Sequence, residues 1–167
     1  ITPELSICGY PPEDLLLNND FIKECNDSLL KIATKFPKLK IIVGHPRSSK
    51  GMLFNSASIL YKGKIESTYD KQMLPNYGVF DEKRYFTSNT DIPEIYKQHD
   101  NTFIINNKKF GVLICEDGWC IKKAEFLAHK KIDLFIQLNA SPFEINKNNT
   151  RHQHAINIPN QTSTPLI

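Results

Sequence analysis

The sequence contains no apolar run approaching the ~18 residues of a membrane span, no C-x-x-C pair, no internal repeat and no low-complexity tract. The strings G-x-x-x-x-G-K-[ST], G-x-G-x-x-G and H-E-x-x-H are missing, which removes the usual phosphate loop, dinucleotide fingerprint and zincin site. G-x-S-x-G is missing too, and with it the common serine-hydrolase elbow. The net charge is only +3, and the lysines are spread along the chain rather than clustered. A nucleic-acid binder would gather them, so no nucleic-acid partner is expected, and no membrane partner either. What is present is ordinary globular material: 167 residues, 40% hydrophobic and 23% charged. That length suits about one domain of ~100–200 residues, and the composition excludes a disordered tail, a coiled coil and a collagen-like repeat.

Four cysteines stand at irregular positions, Cys8, Cys25, Cys115 and Cys120. Zinc would need a second close pair or suitably spaced histidines; His152 and His154 are only two apart and far downstream. No metal site is expected. Size and composition argue against a disulfide scaffold, so reduced thiols in a cytoplasmic protein are expected, one of them a candidate nucleophile. The chain opens on Ile1-Thr2-Pro3-Glu4 without an initiator Met or signal peptide. It closes on Thr164-Pro165-Leu166-Ile167, which reads as the start of a strand. The expectation is a fragment of a longer chain, truncated at both ends.

The pattern alternates strands and helices. Pro11-Pro12-Glu13-Asp14 reads as a turn and helix start. Asn19 or Asp20 can cap a helix with apolar positions from Phe21 to Ala33, stopped by Pro37. Lys40 to Gly44 is a short β-branched run, a buried strand. Phe54–Leu60 and Ile65–Tyr69 flank a hairpin turn at Tyr61-Lys62-Gly63-Lys64. Residues 71–101 lack periodicity and read as a long ordered loop, the kind that carries function. Thr102–Ile105 and Phe110–Cys115 frame a second hairpin. A helix over Ile121–Lys130, a strand over Ile132–Leu138 and a helix from Asn149 to about Ile158, ended by Pro159, complete the pattern. Hairpins mixed with strand–helix–strand units predict an α/β domain with a mixed sheet.

Four residues carry candidate chemistry. Cys115 follows the apolar strand Gly111-Val112-Leu113-Ile114 and precedes a helix. A thiol there sits on a rigid element beside backbone N–H groups able to stabilise an oxyanion. It needs a base or a cation nearby to form the thiolate; a buried cysteine at a strand end is the plainer alternative. Glu4 lies beside an apolar run, where a carboxylate is costly unless paired or reactive, although a solvated chain end explains it equally well. Lys71 opens the long loop, and Glu82 lies among other charges within it. Either could be a surface group. No context singles out His45, His99, His129, His152 or His154 as a partner for Cys115.

Taken together, three segments resemble the nitrilase superfamily. They are Pro3-Glu4-Leu5-Ser6-Ile7-Cys8-Gly9-Tyr10-Pro11-Pro12-Glu13-Asp14-Leu15-Leu16, Lys71-Gln72-Met73-Leu74-Pro75-Asn76-Tyr77-Gly78-Val79-Phe80-Asp81-Glu82-Lys83-Arg84-Tyr85-Phe86 and Ile114-Cys115-Glu116-Asp117-Gly118-Trp119. Within the superfamily they are most similar to the glutaminase (carbon–nitrogen hydrolase) domain of glutamine-dependent NAD synthetases. Asn139-Ala140-Ser141-Pro142-Phe143 agrees with the next motif of that branch. The motifs run in the family's order from residue 3 to about 147.

The resemblance implies an α-β-β-α sandwich of four layers with mixed sheets, here truncated at both ends. It implies a catalytic triad of Glu4, Lys71 and Cys115. Cys115 would attack the carboxamide of L-glutamine and form a thioester, with Glu4 carrying the proton. Lys71 and the backbone N–H of Glu116 would stabilise the oxyanion. Tyr77, Ser141 and Lys147 would hold the substrate, with Arg151, one helical turn on, as a possible replacement for Lys147. Glu82 would position Lys71 or water. In the family a C-terminal synthetase domain uses the ammonia, with ATP and Mg2+, to amidate deamido-NAD. That domain is not in this sequence, so residues 1–167 would be a partial glutaminase domain without a cofactor of its own. A homo-oligomer is implied by the resemblance only. The competing readings are a stand-alone nitrilase-family amidase acting on a small amide, and a non-enzymatic module that keeps the fold.

Overall fold

The computed structural model describes residues 1–91 and 101–167. The chain divides into two compact units, Ile1–His99 and Asp100–Ile167, each with its own sheet.

The first unit is a three-stranded antiparallel sheet with one long helix. Helix α1 spans Asn19–Lys35. Its cap is Asn18, one residue before the expected Asn19 or Asp20; the Asn18 Oδ1 accepts from the N–H groups of Asp20 (2.8 Å) and Phe21 (3.3 Å). The motif holds because the cap must keep extended backbone while its side chain reaches forward two or three residues. Leu29 and Ala33 of α1 bury against Val43 and Leu60 of the sheet. The expected helix start after Pro12 is a single 3-10 turn, Glu13–Leu17.

Strands β1 (Ile41–Ser49), β2 (Met52–Tyr61) and β3 (Lys64–Asp70) pair in that order. Lys62 and Gly63 both have positive φ, 51° and 77°, as a two-residue hairpin turn that matches strand twist requires. Lys50 and Gly51 (52° and 76°) make the β1–β2 turn in the same way. β1 is therefore longer than the expected Lys40–Gly44. The strand continues past Gly44 and through Pro46 to Ser49. Pro46 is tolerated because β1 lies at the end of the β1-β2-β3 order. Gly44 is needed because residues 2–7 run against it. Thr2 N–H donates to Ile42 O (2.9 Å), and Ile7 N–H to Gly44 O (3.2 Å). A Cβ on Gly44 would come within 2.4 Å of Pro3 O and 2.9 Å of Glu4 Cα.

The second unit is a mixed sheet, so the expected mixed character resides here. β4 (Thr102–Ile105) pairs antiparallel with β5 (Lys108–Ile114) across Asn106 and Asn107. Strand β6 (Leu134–Leu138) then runs parallel to β5, with helix α2 (Ile121–Ala128) in the connection. Leu113, Ala124, Leu127, Ile132, Phe135 and Ile158 form its core. Leu166 bridges parallel to Phe135, in line with the strand-like reading of the last four residues. Helix α3 spans Lys147–Thr162 and contains Pro159 rather than ending before it. Proline deprives the Ala155 carbonyl of its N–H partner, but Ala155 is exposed, and Ser163 N–H closes the last turn on Pro159 O at 2.9 Å. No described helix is long and apolar enough to cross a membrane.

Two predictions follow from the first sheet. Gly44→Ala pushes a methyl into the backbone that carries Glu4, so it should cost about 1–3 kcal/mol, read as a lowered unfolding midpoint. His45 is buried on the same strand, with Nε2 2.7 Å from Ser58 Oγ. Burial pushes its pKa down to about 4, a fall that Arg47 deepens and the Pro46 carbonyl and Asp70 oppose. The unfolded chain takes up that proton near ~6.5, so the stability from neutral His45 is present above pH ~6.5 and is lost as the pH falls toward 4, by about 3 kcal/mol. Unfolding midpoints compared at pH 7 and 4.5 should converge in His45→Gln.

Candidate active site

The first unit gathers two of the expected acids, Glu4 and Glu82, around the buried ammonium of a third expected residue, Lys71. Lys71 directly follows β3, and its N–H continues the ladder to Asn55 O at 2.8 Å. That register sends its side chain into the interior, where it is 1% exposed. Its Nζ donates to Glu4 Oε1 (2.7 Å) and to Glu82 Oε1 and Oε2 (2.8 and 3.0 Å). A buried cation survives only when paired and hydrogen-bonded, and Lys71 meets both conditions.

Each acid has its own support. Glu4 is held in the turn beneath Gly44, and Asn55 Nδ2 donates to its Oε1 at 2.8 Å. Its Oε2 is buried and has no hydrogen-bond partner. One carboxylate oxygen is therefore fixed and the other is open. Glu82 starts a 3-10 turn, Glu82–Arg84, inside the loop, and its N–H donates to Pro75 O at 3.2 Å. Tyr10 Oη donates to Glu82 Oε1 at 2.9 Å. Burial pushes the Glu82 carboxyl up; Lys71 pulls it down, Glu4 pushes it up again, and the net direction is upward. The loop's described part is ordered by contacts to the sheet, including Thr87 N–H to Leu53 O at 2.7 Å and Asn89 N–H to Lys71 O at 3.3 Å. Residues 92–100, and His99 among them, lie outside the described residues. Tyr77 is exposed on this loop, its ring edge-on to Phe80 with centroids 5.5 Å apart.

The second unit holds the remaining candidates at the C-terminal ends of its parallel strands, where open α/β sheets usually place ligands. Ile114 of β5 pairs with Leu138 of β6, so the segments leaving both strands emerge side by side. Cys115 is 6% exposed and has φ 44°, a left-handed conformation uncommon without glycine. Its Sγ lies 3.9 Å from Ser141 Oγ. The fully buried Asp117 accepts from Ile114 N–H (3.3 Å) and pairs with Lys123 (2.8 Å), which fixes the turn Cys115–Trp119. Glu116 follows Cys115 in that turn and is half-buried.

Ser141 and Arg151 line a cavity of about 530 Å³ together with Gly118, Trp119 and His154. Arg151 donates from Nη2 to Pro142 O, while its buried Nε has no partner. His154 stacks on Trp119 with ring centroids 4.0 Å apart. Lys147 instead pairs with the exposed Glu144 at 2.5 Å. All four cysteines are free thiols. Burial and the neighbouring Cys25 push Cys8 up to about 12, which leaves it a poor nucleophile.

The sequence reading missed Tyr10, Asn55, Asp117 and Gln137. A polar residue inside an apolar strand was the available signal for Asn55 and Gln137. Nothing local marked Tyr10, whose partner is 72 residues away.

Residues 1–160 match the sequence model of the carbon–nitrogen hydrolase family. This chain belongs to that family. Glutamine-dependent NAD(+) synthetase of Xanthomonas campestris pv. campestris (strain 8004) is 41% identical over 150 residues, 89% of this chain and 26% of that protein. The structure of glutamine-dependent NAD+ synthetase from Acinetobacter baumannii in complex with ADP superposes with a TM-score of 0.87 at 33% identity, over 99% of this chain and 30% of that one. A carbon–nitrogen hydrolase from Helicobacter pylori G27 shares the fold alone, with a TM-score of 0.71 at 24% identity over 99% of this chain and 58% of that one. This hydrolase-family chain thus has the nitrilase-like α/β fold, and it spans about a quarter to a third of the curated relatives it matches.

Removing the ammonium would leave two buried carboxylates facing each other. Lys71→Met should therefore lower unfolding stability by roughly 3–5 kcal/mol, and adding Glu82→Gln should recover part of that loss in the same denaturation measurement.

Proposed function

We propose that this chain is the glutamine-hydrolysing part of a glutamine-dependent NAD synthetase. The observation that carries the reading is the buried Glu4–Lys71 pair, in which one carboxylate oxygen is tied down and Oε2 is left open. An unbonded oxygen on a carboxylate whose other oxygen is held by Lys71 and Asn55 leaves a fixed site at which a proton can be received. In this reading Glu4 takes the thiol proton of Cys115 as sulfur attacks the glutamine carboxamide. Lys71 and the Glu116 N–H stabilise the oxyanion. Glu4 then passes the proton to the leaving ammonia, and water activated by Glu4 hydrolyses the thioester to glutamate.

Ser141 and Tyr77 are the proposed substrate contacts, along with one base near the start of α3. Arg151 suits that task better than Lys147, because it lines the cavity beside Ser141 with an unsatisfied N–H while Lys147 is committed to Glu144. In the whole protein the ammonia would serve a synthetase domain that uses ATP and Mg2+ to amidate deamido-NAD, and the assembly would be a homo-oligomer. The 41% identity to a synthetase favours this reading over a stand-alone amidase.

The test uses the full-length protein. Cys115→Ala should cut glutamine-dependent NAD formation by roughly 10³-fold or more while ammonia-dependent formation survives. Turnover with glutamine in that variant would sink the nucleophile assignment. Hydrolysis of small amides by the unsubstituted protein, with no NAD formed from either nitrogen source, would favour the amidase. A glutamine-analogue electrophile should label Cys115 and leave Cys8, Cys25 and Cys120 unmodified in peptide mass spectra.

A further inference from the structure

Gln137 is the one polar residue of β6, Leu-Phe-Ile-Gln-Leu, and it is half-buried. Its Nε2 donates to Cys115 O at 2.9 Å and to Asn139 Oδ1 at 3.1 Å, so both amide hydrogens are engaged. A backbone carbonyl only accepts, which means the atom facing Cys115 must be the nitrogen. The amide lies flat against Gly118: a Cβ there would come within 2.5 Å of Cδ, Nε2 and Oε1 of Gln137. Gly118, Asn139 and Cys115 thus fix this side chain from three directions.

We propose that Gln137 is a positioning residue that aims and polarises the Glu116 N–H as an oxyanion donor. The inference rests on the proposed attack by Cys115. The carbonyl of Cys115 and the N–H of Glu116 belong to one planar trans peptide and point in opposite directions. Anchoring the oxygen from the Gln137 side therefore turns the N–H away from Gln137 and holds it there. A donor on the oxygen also draws electron density from the nitrogen, which makes the N–H a stronger donor. Such preorganisation matters most where a negative oxygen develops. The left-handed Cys115 is braced on the side of Glu116 by Gln137, while Asp117 holds the chain one peptide before Cys115, at Ile114 N–H.

The test compares two reactions of the same thiol in the full-length protein. Gln137→Met keeps the length and removes the donor; Gln137→Glu keeps the shape and presents an acceptor at neutral pH. Both should lower kcat for glutamine hydrolysis by about tenfold or more, short of the ~10²–10³ seen when an oxyanion donor itself is deleted. KM should stay within about twofold, because the interaction acts in the transition state. Alkylation of Cys115 by iodoacetamide is the control reaction. Sulfur bonds to the CH2 carbon as iodide leaves and no oxyanion forms, so its rate should hold within about twofold of the unsubstituted protein. An unchanged kcat would overturn the proposal. A parallel fall in alkylation and hydrolysis would also overturn it, reducing Gln137 to a structural prop. If alkylating Cys115 in the unsubstituted protein left glutamine hydrolysis intact, the nucleophile assignment itself would fall, whatever Gln137 does.

Discussion

A lysine ammonium with 1% exposure, bonded to two carboxylates, is the constraint around which the first unit is arranged. Water is no longer available to that charge, so the fold must deliver every partner to it. The β3 register delivers Lys71, the approach of residues 3–5 to a side-chain-free Gly44 delivers Glu4, and the loop returning over the sheet delivers Glu82. None of these elements can shift by a residue without stranding a charge. Burial, and after it the second acid Glu4, raise the Glu82 carboxyl against the pull of Lys71.

The second unit holds Cys115 at a strand end, over a turn fixed by the buried Asp117 and its pair with Lys123. Parallel pairing of β5 and β6 brings two exits to one sheet edge, and one carries Cys115 while the other leads to Ser141. The backbone at Cys115 turns left-handed, a shape held by side chains of the turn itself and of β6. The Glu4–Lys71 pair belongs to one compact unit and the thiol of Cys115 to the other, each organised by its own interactions.

Much of the fold was legible because it rests on local signals. Both expected hairpins are present, turning at Lys62-Gly63 and at Asn106-Asn107, and α1 follows its apolar spacing between its cap and Pro37. The failures came where tertiary context overrode a local rule. Pro159 lies within α3, and β1 runs on beyond Gly44 through Pro46 to Ser49, because what matters at those positions is which neighbour approaches and which group goes unbonded. The site divided the same way. Glu4, Lys71, Glu82 and Cys115 were visible through a family resemblance across short strings. Tyr10 and Asn55 meet their acids across 72 and 51 residues, a distance that no spacing pattern spans.

The contact between Gly118 and the Gln137 amide has an evolutionary corollary. The two positions share one small volume, so neither can drift alone. A homologue with any side chain at 118 must shorten or redirect residue 137, and must then find another way to brace the Cys115 carbonyl. Substitutions at these positions should therefore be paired across the family, and the pair should separate lineages that brace this turn from β6 from those that brace it otherwise.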